Sequence, residues 1–112
     1  MKIAIVGSRG AGDDTIDLII KNIPAECSEI ISGGAVGIDT IANEAARRLG
    51  IKCKNFLPDY DKYGKIAPLQ RNITIIENAD YVMAFWDYKS HGTRNVISEC
   101  IKRNIPFRIF GL

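Results

Sequence analysis

The sequence predicts an α/β fold, a Rossmann-like three-layer sandwich with a five-stranded parallel sheet. Short apolar runs alternate with segments of helical period, and turn residues separate the two kinds of segment. The apolar runs are continuous, which suits strands covered by helices on both faces. Strands that alternate with helices imply right-handed crossovers and parallel pairing. We expect the strand order 3-2-1-4-5, with residues 1–112 forming a single domain.

The first half of the chain contains three predicted strands and two predicted helices. The run KIAIVGS is a buried strand that ends near Gly7, and the isoleucines that follow it recur at helical spacing. Asp13 or Asp14 can cap this first helix, and Pro24 lies at its end. The second strand is SEIIS, the second helix is closed by Gly50, and the third strand is KCKNFL.

The second half begins with PDYDKYGKIAP, which we expect to be a loop. Leu69, Ile73 and Ile76 then predict a third helix. The run DYVMAFW is the fourth strand, the apolar residues between Val96 and Ile101 mark a fourth helix, and PFRIF is the fifth strand.

The composition is that of an ordinary globular protein, with 46% hydrophobic and 25% charged residues and a net charge of +2. No apolar run is long enough to span a bilayer, so we expect no membrane partner. Cys27, Cys53 and Cys100 are far apart, which favours free thiols in the cytoplasm. No cluster of metal-ligating residues is present, and we expect neither a metal nor a cofactor.

Three loops rich in glycine, serine or threonine follow the first, second and fourth strands: GSRGAG, SGGAVG and DYKSHGT. Ligands of such sheets bind beyond the carboxyl ends of the strands, near the point where the strand order reverses. Each loop leads into a helix whose first amide groups lack partners and carry partial positive charge. These loops therefore predict a site for phosphate or another anion.

The loops supply bare amide groups, hydroxyl groups and one cation for this predicted site. Gly33, Gly34 and Gly37 leave space for a phosphate, and Arg9 can form a bidentate contact with it. Asp39 falls in the first turn of its helix, where it can cap amide groups or face a ribose hydroxyl. Neither a G-x-G-x-x-G fingerprint nor a P-loop is present, which argues against an NAD dehydrogenase and a P-loop ATPase.

The segments AIVGSRG, SGGAVGIDTIANEAA, QRN and ADYVMAFWDYKSHGTRNVI, in this order, resemble the SLOG superfamily, which includes the DprA and LOG proteins. The likeness is to its small stand-alone members of YspA type. It implies a Rossmann-like fold that binds a nucleotide or a nucleotide-derived ligand at these loops. The segment SGGAVGID is similar to the DprA pattern S-G-x-A-x-G-I-D, with Val36 where DprA usually has arginine.

The LOG proteins, which are phosphoribohydrolases, share other positions with this chain. Gly92 and Thr93 match the G-T of their motif, and Arg71 stands where they have an active-site arginine. Their glutamates would fall near Asn95 and Val96, neither of which is acidic. The resemblance therefore implies that the arginine is kept and that the catalytic acid is lost.

The main prediction is a nucleotide-binding protein in which the amide groups of residues 33–37 and 91–93 hold phosphate. Arg9 and Arg71 would neutralise charge, and Ser8 and Ser32 would orient the ligand. The predicted ligand-binding residues are Gly7, Ser8, Arg9, Ser32, Gly33, Gly34, Gly37, Asp39, Arg71, Asn72, Ser90, Gly92 and Thr93.

Two other functions and one assembly state stay open from the sequence. One function is hydrolysis of a nucleotide N-glycosidic bond, with Asp39, Asp87 or Glu99 as the carboxylate. The other is binding of single-stranded DNA, as in DprA. A homodimer is expected because related proteins are often dimers.

Overall fold

The computed structural model describes residues 1–34 and 37–112, and the strands in them form one parallel sheet. The order is β3-β2-β1-β4-β5, and every neighbouring pair is parallel. This confirms the predicted fold class and strand order. The strands are β1 (Lys2–Gly7), β2 (Glu29–Ser32), β3 (Lys52–Asn55), β4 (Tyr81–Trp86) and β5 (Phe107–Gly111).

Helices cover both faces of the sheet. Side chains of β1 point alternately to the two faces, so Ile3 and Ile5 pack with α1 and α2, whereas Ala4 and Val6 pack with α4 and α5. No helix in the described ranges is both long enough and apolar enough to cross a membrane. The helices are α1 (Thr15–Asn22), α2 (Ile38–Leu49), α3 (Tyr60–Tyr63), α4 (Ala67–Glu77) and α5 (His91–Arg103).

The segment predicted as a loop between β3 and α4 instead contains α3 and a turn of 3-10 helix, Gly64–Ile66. The carboxylate of Asp59 accepts a hydrogen bond from the backbone N–H of Lys62 at 3.1 Å, which caps α3. Pro68 lies in the first turn of α4, where its missing N–H costs nothing. The loop prediction was wrong because these helices are too short to show an apolar period.

A predicted helix cap and a predicted strand boundary also differ from the structure. Asp14 occupies the N-cap position of α1, but its side chain makes no capping hydrogen bond. Strand β3 ends at Asn55, so Phe56 and Leu57 belong to the segment that follows it. The backbone N–H of Phe56 still donates to the carbonyl oxygen of Ser32 at 2.8 Å, and Phe56 and Leu57 then lie beside α4.

Candidate functional site

A cleft of about 260 Å³ lies at the carboxyl edge of the sheet, where the segments after β1, β2 and β4 meet α4. Many of the predicted ligand-binding residues line it: Gly7, Arg9, Gly33, Asp39, Arg71, Asn72, Ser90, Gly92 and Thr93. Of the other predicted residues, Ser8, Ser32, Gly34 and Gly37 do not line it. The cleft also has an apolar wall, which was not predicted from the sequence and is formed by Val6, Pro68, Leu69, Ile75 and Val96. Their apolar character signalled helix and strand faces, but not that these faces meet at one cleft.

Arg71 is fixed in the cleft by two hydrogen bonds. Its Nη1 donates to the carbonyl oxygen of Gly33 at 3.0 Å, and its Nε donates to Oδ1 of Asn72 at 3.1 Å. Asn72 is buried and donates in turn from Nδ2 to Oδ1 of Asn95 at 3.2 Å, which joins α4 to α5. Among the described residues, Arg71 forms no ion pair with a carboxylate. Its positive charge is therefore held in place and remains available to an anion.

In the second loop, protein groups occupy the space that a side chain at Gly33 or Gly37 would need. A Cβ on Gly33 would lie 2.5 Å from Nη1 of Arg71. Gly37 has a φ of +92° and lies against the backbone of Arg9, whose carbonyl oxygen would be 2.5 Å from an added Cβ. The sequence predicts a phosphate in this space, but in the structure the space holds Arg71 and the backbone of the first loop. The amide groups of residues 35–36, also assigned to phosphate, lie outside the described residues.

Of the three remaining predicted glycines, Gly7 and Gly34 are also enclosed by protein, whereas Gly92 is open. A Cβ on Gly7 would lie 2.5 Å from the carbonyl oxygen of Phe85, and one on Gly34 would lie 2.6 Å from Cδ2 of Leu57. No atom lies within 4 Å of a Cβ placed on Gly92, in the first turn of α5. An anion can therefore approach the start of α5 more closely than it can approach Gly7 in the first loop or the described glycines of the second loop.

The hydroxyl groups of Ser8 and Ser32 are directed to protein groups. Ser32 is buried and donates to Oδ1 of Asp39 at 2.7 Å. Ser8 is buried, and its Oγ accepts from the backbone N–H of Asp87 at 3.1 Å. The Ser8 hydroxyl thus connects the first and third loops, and the Ser32 hydroxyl ties the end of β2 to the start of α2. The sequence-based prediction that both hydroxyl groups orient a ligand did not include these protein partners.

The loop before α5 is stabilised by its own side chains. Oδ1 of Asp87 accepts from the backbone N–H groups of Lys89 at 2.9 Å and Ser90 at 2.8 Å, which lowers the pKa of the Asp87 carboxyl. Ser90 is the N-cap residue, and its Oγ accepts from the N–H of Thr93. The indole of Trp86 donates to the carbonyl oxygen of Ser90 at 3.0 Å. The start of α5 is thus ordered before any ligand arrives.

The sequence model of the YspA, cpYpsA-related SLOG family matches residues 1–63. The chain belongs to this SLOG family. The Gene 61 protein of Mycobacterium phage D29 is 35% identical to it over 88 residues, which cover 73% of this chain and 70% of the phage protein.

Two solved structures of the DNA-processing protein DprA share the fold of this SLOG protein. DprA from Streptococcus pneumoniae superimposes with a TM-score of 0.79 at 21% identity, over 96% of this chain and 49% of the DprA chain. DprA from Helicobacter pylori, a single-stranded DNA-binding protein, superimposes with a TM-score of 0.76 at 22% identity. That match covers 97% of this chain and 64% of the DprA chain. The SLOG protein thus spans about half of one DprA chain and less than two thirds of the other.

The carboxylates considered for bond cleavage lie in different places in the SLOG protein. Asp39 lines the cleft, is buried, and accepts the hydrogen bond from Ser32. Asp87 accepts the amide hydrogen bonds of its own loop. Glu99 accepts a hydrogen bond from Nε of Arg103 at 3.2 Å and does not line the cleft. Of these three, Asp39 alone is placed to contact a ligand there.

Replacing Asp87 by alanine should lower the free energy of unfolding near neutral pH, with a smaller effect in acid. The carboxyl has a pKa below its ordinary value of 3.8 when folded, so its stabilising effect is complete above the unfolded-state pKa. This effect is lost as the pH falls through the lower, folded-state pKa. Urea unfolding of the wild type and of Asp87→Ala, from neutral pH to about pH 2, measures the difference. The exposed Asp17→Ala variant is the control, and an equal pH dependence in both variants would contradict the assignment.

Proposed function

We propose that this SLOG protein binds a nucleotide or a nucleotide-derived ligand by its phosphate group. The observation that carries the proposal is that Arg9, Arg71 and the open first turn of α5 line one cleft. Among the described residues, neither guanidinium is paired with a carboxylate. Cations and helix N-terminal amide groups together form a typical phosphate-binding arrangement.

The rest of the cleft suits a sugar and a base. Its apolar wall includes Pro68, Leu69 and Val96, which can pack against the planar face of a base. The carboxylate of Asp39 can accept a hydrogen bond from a ribose hydroxyl. A volume of about 260 Å³ lies just below the usual range of about 300–1,000 Å³ for ligand pockets. The cleft therefore fits one nucleotide unit better than two.

Binding of single-stranded DNA is the second candidate. The DprA of H. pylori binds single-stranded DNA, and this chain shares its fold over 97% of its length. A strand that contacts several cations would lose affinity steeply as the salt concentration rises, because counterions are released on binding. A single nucleotide held in the cleft would show a much weaker dependence on salt.

The test is a thermal-shift titration with nucleoside monophosphates, NAD and ADP-ribose, repeated with the matching nucleosides that lack phosphate. A ligand at a hundred times its Kd should stabilise the folded chain by about 2.7 kcal/mol and raise Tm by several degrees. The nucleosides should give a much smaller rise because they lack the charged group.

Three outcomes separate the candidate functions. Equal shifts with nucleosides and nucleotides, or no shift with any of them, would contradict the proposal. A shift only with labelled oligonucleotides, falling steeply with salt, would favour the DNA-binding candidate. Release of free base during incubation would show turnover by a hydrolase.

A further inference from the structure

Arg71 also forms a wall of a second hollow, of about 220 Å³, between α4 and the segment that follows β3. Phe56, Leu57, Tyr63 and Gln70 line this hollow together with Arg71. Arg71 lines both the cleft and this hollow, so the two spaces share its side chain as a wall. A ligand that occupied both spaces would therefore lie beside Arg71.

The guanidinium of Arg71 is suited to hold a linkage between two ligand units. Its Nη1 and Nε donate to Gly33 and Asn72, which fix its plane. Its Nη2 donates to none of the residues that the structure describes. An arginine with a fixed plane and a free donor group can bind a phosphate oxygen without losing further side-chain entropy.

The hollow itself has the character of a site for a base. Tyr63 is half-buried in its wall, and Nζ of Lys62 lies 5.2 Å from the centroid of the Tyr63 ring. Gln70 supplies an amide that can donate and accept hydrogen bonds at a base edge. Leu57, which also lines the hollow, is 69% exposed and so offers apolar surface to a ligand. Aromatic side chains in positively charged grooves are common stacking surfaces for nucleotide bases.

We propose that the preferred ligand consists of two nucleoside units joined through phosphate, with one unit in the cleft and the other in the hollow. The linking phosphate contacts Arg71, and the second base stacks on Tyr63. This inference rests on the proposed function of the cleft. It adds a second subsite, and because a dinucleotide would occupy both subsites, it should bind more tightly than a mononucleotide.

The test compares the Kd of adenosine monophosphate with that of the linear dinucleotide pApA and of NAD by calorimetry. We expect pApA or NAD to bind about 5- to 100-fold more tightly than the mononucleotide in the wild type, which is the gain expected from one stacked base. The two dinucleotides distinguish a phosphodiester linkage from a pyrophosphate linkage. Tyr63→Ala should abolish the gain and leave the Kd of the mononucleotide unchanged, whereas Tyr63→Phe should keep the gain.

Tyr60→Ala is the matched control, since Tyr60 lies in the same short helix, is 61% exposed and does not line the hollow. Gln70→Ala gives a second reading of the hollow in case the Tyr63 variant fails to fold. Equal affinity for mononucleotide and dinucleotides in the wild type would overturn this inference and leave the proposed function intact. A gain that survives Tyr63→Ala and Gln70→Ala would also overturn it. No binding of any nucleotide would instead remove the proposed function on which it rests.

Discussion

Replacing Arg71 by alanine is expected to weaken nucleotide binding by about 10- to 100-fold, because hydrogen bonds to charged groups contribute about 1.5–3 kcal/mol. The guanidinium lies in the cleft, is fixed by Gly33 and Asn72, and has no carboxylate partner among the described residues. Its positive charge is therefore not already neutralised by the protein. Calorimetric titration with the nucleotide that gives the largest thermal shift measures the loss.

Two other variants separate the charge of Arg71 from its position. Arg71→Lys keeps the charge but loses the planar donors, so it should recover only part of the affinity. Gly33→Ala keeps the arginine but places a Cβ 2.5 Å from Nη1, which moves the guanidinium and should also weaken binding. Arg47→Ala is the control, since Arg47 lies on the exposed face of α2 and pairs with Glu44. An unchanged Kd in Arg71→Ala would contradict the proposed site.

Replacing Gly37 by alanine is expected to lower the free energy of unfolding by about 2–4 kcal/mol. Its φ of +92° and ψ of −120° lie in a region that side chains rarely adopt, and an added Cβ would meet the backbone of Arg9. Backbone cannot move aside as a flexible side chain can, so the first and second loops would have to separate. Urea unfolding measures the loss.

Gly50→Ala is the matched control for this stability prediction. Gly50 also has a positive φ, of +69°, but no atom lies within 4 Å of an added Cβ. This variant should lose only about 1 kcal/mol, which is the conformational cost alone. If the two variants lose the same stability, contact between the two loops is not what requires glycine at residue 37.

The fold and the edge of the sheet that holds the cleft could be predicted because their signals are local. Apolar runs and helical periods predicted the succession of strands and helices, and this alternation predicted parallel pairing. The strand order 3-2-1-4-5 was expected of a Rossmann-like sheet, and the structure confirms it. The glycine-rich loops marked the carboxyl edge, and the SLOG motifs within them carry the family. These features depend on neighbouring residues, so the chain order alone reveals them.

Only the tertiary structure decided what each loop residue contacts. Gly33 bonds Arg71 across 38 residues of sequence, and Ser8 bonds the amide of Asp87 across 79 residues. Residue type shows that a glycine is small and that a serine can hydrogen-bond, but not whether a ligand or a protein group lies beside it. That choice depends on how distant segments pack, and here protein groups lie beside the second-loop glycines whereas Gly92 stays open.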